Sequence, residues 1–116
     1  MPAGCLYAPQ GFIDRNPNTV QALTNAMVRA CRWIQAAGPS QIISTVPESY
    51  LLGDRAVYID AFLAAKGALS PDGLFPEKGA DTAFRALANI DANIAKARLD
   101  LGAVMTNEFV KKANTK

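Results

Sequence analysis

The side chains that most often perform chemistry are scarce in this sequence, and none of its 116 residues is a histidine. Histidine is the commonest general base and metal ligand, so its absence removes the usual catalytic triads and most zinc sites. The two cysteines, Cys5 and Cys31, fit no metal-binding or redox spacing. Whether these two cysteines form a disulfide is left undecided, because no sequence pattern requires one. We therefore expect no metal site and no cofactor.

The carboxylates form no recognisable catalytic pair. Asp54 is close in sequence to both Glu48 and Asp60, but a helix cap, a turn or an exposed surface explains each of them. A catalytic dyad needs two carboxylates in one cleft with their pKa values pushed apart. We predict that the chain is not an enzyme.

Residues 46–51 are the best candidate for a ligand-facing loop. They place the carboxylate of Glu48 and the ring of Tyr50 between two predicted helices. Loops on rigid scaffolds frequently carry binding groups, so these two residues are the candidate ligand-binding residues. A structural alternative is favoured, in which Tyr50 and Leu51 fill a gap between helices while Glu48 faces water.

The elements that must position this loop are predicted to be helices. The longest spans residues 17–37, with Asn16 as its cap and Pro17 at its first position. Gly38 and Pro39 end it. Its apolar residues recur at steps of three and four and predict one buried stripe, formed by Val20, Leu23, Met27, Cys31 and Ile34.

Shorter helices are predicted on both sides of the candidate loop. One begins with Ser40 as its cap and ends near Pro47, and the next is capped by Asp54. The stripe of that next helix contains Tyr58, Phe62, Ala65 and Leu69. Val57 and Ile59 widen its apolar face, so we expect this helix to be covered on more than one side.

The last third of the chain begins with a turn. Residues 70–73, Ser-Pro-Asp-Gly, carry a strong turn signal, because Pro presets one backbone angle and Gly accepts a left-handed one. A fourth helix is predicted over residues 79–90, residues 91–101 are ambiguous, and a final helix begins with Thr106 as its cap.

Residues 4–8 are short, apolar and stopped by Pro9, which predicts one N-terminal strand. A single strand cannot pair its own backbone groups. Either the sheet that it joins lies outside this sequence, or the segment is not a strand. The expected fold class is therefore mainly α, with five or six helices and one short strand, in a single segment covering residues 1–116.

Charge and hydropathy exclude some partners. The net charge is +2 and the basic residues are scattered, whereas nucleic-acid binders concentrate charge on one face. No segment has the roughly 20 apolar residues that span a bilayer. The start of the chain does not read as a secretory signal, so we expect this chain, if made alone, to stay in the cytoplasm.

Several segments, in order, resemble solute-binding proteins of the NMT1/THI5-like group, which serve nitrate, alkanesulfonate and taurine importers. The run Leu6 to Pro17, leading into Val20 to Ala26, is similar to the late part of that group, where a strand is followed by a long helix. The pair Trp33-Ile34, the turn Pro71-Asp72-Gly73 and the segment Met105 to Val110 continue the similarity.

The resemblance implies that the chain is the C-terminal portion of one lobe of a two-lobed protein with a type II periplasmic-binding-protein-like α/β fold. The full-length parent would be periplasmic and would bind a small organic or anionic solute and an ABC permease. Most ligand contacts in that group come from earlier parts of the chain. The resemblance therefore assigns no binding residue here.

A stand-alone helical module that binds a protein partner, with no small-molecule ligand, is the alternative function. In either case, helix faces that lack a cover would favour self-association of the chain.

Overall fold

The computed structural model describes residues 4–51 and 53–115, apart from the side chain of Glu77. Within these ranges the chain is helical and has no strand, so the prediction of a mainly α chain is confirmed. The α-helices are α1 (Gln10–Arg15), α2 (Pro17–Ala36), α3 (Pro39–Thr45), α4 (Arg55–Lys66), α5 (Glu77–Ala88), α6 (Ala92–Lys96) and α7 (Glu108–Asn114). One turn of 3₁₀-helix, Glu48–Tyr50, precedes α4.

The predicted strand at residues 4–8 is not formed in this structure. These residues are irregular, and Leu6 and Tyr7 are exposed, Tyr7 almost fully. No strand occurs among the described residues with which they could pair. The physical reason is that a strand needs a neighbour for its backbone N–H and C=O groups.

The long helix α2 matches its prediction closely at both ends, but its buried side differs. Thr24 and Val28 are its buried residues, whereas Leu23 and Met27 are about half exposed. Consecutive helical residues are rotated by about 100°, so the covered face lies roughly one residue further along than the apolar pattern indicates. Asn16 also acts differently from its prediction. It follows the last residue of α1, and its side-chain amide donates to the carbonyl of Phe12 within that helix.

Local signals set the starts of α3 and α4 and the turn that follows α4. The Asp54 carboxylate accepts hydrogen bonds from the N–H groups of Ala56 and Val57, at 2.9 and 3.1 Å, which confirms the predicted cap of α4. Gly73 has the left-handed φ of 77° that the predicted turn requires. The predicted Ser40 cap is wrong by two residues, because Gly38 is the cap and Pro39 suits the first position of α3.

The chain divides into two compact units. The first comprises Met1–Asn25 and Leu74–Lys116, and the second comprises Ala26–Gly73. In the second unit α3 packs against α4, and its buried apolar residues are Val28, Ala37, Ile42 and Leu51. In the first unit α5 packs against α6, and Ala80 and Ala113 are buried.

Much apolar surface stays in contact with water. The chain exposes 8722 Å², whereas a compact monomer of this size exposes about 6,100 Å². Treating the two units as separate proteins raises that expectation only to about 7,300 Å². Large apolar side chains that are at least half exposed occur in both units, and they include Leu23, Val57, Leu87, Ile90 and Val104.

Among the described helices, none combines the length and apolar character that are needed to cross a membrane.

Ile42 should contribute strongly to the stability of the second unit, because only 2% of it is exposed. Ile42→Ala leaves a cavity there and is expected to lower the free energy of opening of the second unit by about 2–4 kcal/mol, measured by hydrogen exchange of its slowest amides. Ile90→Ala is the matched control, since Ile90 is 86% exposed, and should change it by less than about 0.5 kcal/mol. Equal losses for the two variants would contradict this assignment of the core.

Candidate functional site

The predicted ligand-facing loop becomes a single 3₁₀ turn between α3 and α4. Leu51, directly after it, is 1% exposed and fills the interior, as the structural alternative predicts. Tyr50 does not, because 67% of it is exposed. Glu48 faces water and pairs with Arg55, with 3.1 Å between Oε2 and Nη2. The turn therefore presents one free aromatic ring beside an exposed ion pair.

A second candidate site, which the sequence does not indicate, is a cleft of about 440 Å³ in the first unit. Helix α1 supplies Gln10 and Asp14 to its rim, and the segment leading into α7 supplies Met105 and Thr106. Phe109 contributes an aromatic surface from α7. The cleft is open to solvent and has both polar and apolar walls.

The charged groups of this cleft already have partners. Gln10 Nε2 donates to Asp14 Oδ1 at 2.7 Å. Lys112 Nζ donates to Glu108 Oε1 at 2.5 Å and lies 5.7 Å from the centre of the Phe109 ring. The hydrogen bond from Lys112, and then its positive charge, lower the pKa of Glu108 below its ordinary value. A ligand would have to compete with these contacts.

Two side-chain amides hold α7 in place. Asn107 makes two hydrogen bonds to the backbone of Phe75: its Oδ1 accepts from the N–H at 2.8 Å, and its Nδ2 donates to the C=O at 2.9 Å. Gln21 Nε2 donates to the carbonyl of Phe109 at 2.8 Å. At the start of α7 the hydroxyl of Thr106 accepts the N–H of Glu108, but Asn107, not the predicted Thr106, stands at the cap position.

Neither site offers a metal-ligand set. In the described parts of the chain, no three His, Cys, Asp or Glu side chains are close enough to hold an ion. Cys5 and Cys31 are both free thiols. The polar groups at the two sites can donate and accept hydrogen bonds, which is the chemistry of binding.

Only some of the contacts in and around the cleft could be predicted from the sequence. The pairs Gln10 with Asp14 and Glu108 with Lys112 are four residues apart, a spacing that places side chains together on a helix. The bond between Asn107 and Phe75 joins residues 32 positions apart. No local pattern marks such a contact, so the approach of α7 to this loop could not be predicted.

Comparison with known proteins yields one informative similarity. No protein-family model matches the chain, and no curated protein matches it. A solved structure of a protein from Bordetella bronchiseptica RB50 is similar over 99% of this chain, with 55% sequence identity and a TM-score of 0.89. The chain spans 36% of the length of that protein, whose structure carries no functional name. The helical arrangement of this segment therefore recurs within a longer polypeptide.

Replacing Asn107 should loosen the attachment of α7. Asn107→Ala leaves the N–H and C=O of Phe75 without their partner, and we expect a loss of about 1–2 kcal/mol of stability. The amide hydrogen of Phe75 should also exchange faster with solvent. Asn18→Ala, at an exposed position in the first turn of α2, is the control. Unchanged exchange at Phe75 would show that the two bonds do not hold the loop.

Lys112→Gln should raise the pKa of Glu108 towards its ordinary value, because the substitution removes the positive charge and replaces the charged hydrogen-bond donor with a neutral one. Carboxyl NMR titration measures this pKa directly. In the native chain the ion pair favours the folded state above the ordinary pKa, and this contribution is lost as pH falls through the lowered pKa. It is small because both side chains are in water. The neighbouring variant Lys111→Gln should leave the Glu108 titration unchanged.

Proposed function

We propose that this chain is the C-terminal helical part of the substrate-binding component of an ABC importer for a small organic or anionic solute. The observation that carries the proposal is the apolar surface that the chain leaves uncovered. A domain that folds alone covers such faces, whereas a segment of a larger fold presents them to its neighbours. The ordered resemblance to solute-binding proteins supports the same assignment.

The similarity to the Bordetella protein supports the idea of a segment independently. A match to 36% of a longer protein at 55% identity is what a portion of a related longer protein would give. In that polypeptide residues 4–8 would find neighbouring strands, and their backbone groups would be paired as the last strand of one lobe. This would give the parent the α/β fold that the resemblance implies.

The proposal defines the partners and location of the full-length parent. Its partners would be a solute and a membrane permease, and its location the periplasm. No catalytic step is assigned, since transport receptors bind their ligand without transforming it. The turn with Glu48 and Tyr50 stays the proposed ligand-facing segment of the chain, and the α1–α7 cleft is a second candidate.

A stand-alone helical interaction module is the second candidate function. The same exposed side chains support it, because an apolar helix face also suits a partner protein. Gene neighbourhood distinguishes the two. Permease and ATPase genes beside a reading frame that also encodes the other lobe support the receptor, and an isolated gene beside a regulator supports the module.

The direct test is solute binding by the complete polypeptide that the gene encodes. Nitrate, taurine, alkanesulfonates and bicarbonate would be screened by thermal unfolding and confirmed by calorimetry. A cognate solute at about 100 times its Kd stabilises the folded state by about 2.7 kcal/mol, so we expect a Tm increase of roughly 5 °C or more. Tyr50→Ala should weaken binding, because the ring projects from the proposed ligand-facing turn and is mostly exposed in this chain.

The behaviour of the 116 residues alone is the complementary measurement. A sharp, cooperative melt of a monomer would contradict the proposal, because it would mean that these helices need no further cover. A reading frame that encodes no second lobe would contradict it as well.

A further inference from the structure

We draw no further inference here: the strongest candidate, the open cleft between α1 and α7, belongs to the site already described, and its exposed polar groups bond to one another, so nothing in the structure points to the chemistry of a ligand that it would take.

Discussion

Removal of apolar side chains from water holds these helices together, and few positions achieve it fully. In the second unit Ile42 and Leu51 are almost completely buried, and the smaller Val28 and Ala37 join them. Each ordered residue costs about 1–2 kcal/mol of backbone entropy, which burial must offset. Where so few side chains are withdrawn from solvent, further burial has to come from contacts with more protein. The exposed apolar faces are the places where such contacts would form.

Where few apolar side chains are buried, hydrogen bonds hold the helices in position. Helix α7 has seven residues, too few to be stable alone in water. Asn107 holds its start against Phe75, and Gln21 binds the carbonyl of Phe109. An amide side chain carries both a donor and an acceptor, and Asn107 uses both of them on the backbone of Phe75, which lies outside any helix. These bonds attach α7, which forms one wall of the cleft between α1 and α7.

The functional interpretation follows from the contrast between the few buried side chains and the many exposed apolar ones. In the receptor that we propose, two lobes would close around the ligand, so no single segment would need a complete site. Tyr50 projects from a short turn and the α1–α7 cleft is open, and both are surfaces that a further layer of protein could enclose. The Bordetella protein, of which this chain spans about a third, has the length to provide such a layer.

The sequence by itself determined the local structure: the long helix from Pro17, the Asp54 cap and the turn at Gly73 depend on neighbours within a few residues. Tertiary structure decided which faces are covered. It buried Val28 where the pattern favoured Met27. Of Tyr50 and Leu51, which the structural alternative placed together between helices, it buried only Leu51. It left residues 4–8 unpaired, because strand formation requires a neighbouring strand. The physical reason is the sequence distance over which each interaction acts. Caps and turns form hydrogen bonds between residues a few positions apart, whereas burial depends on contacts with residues distant in the sequence.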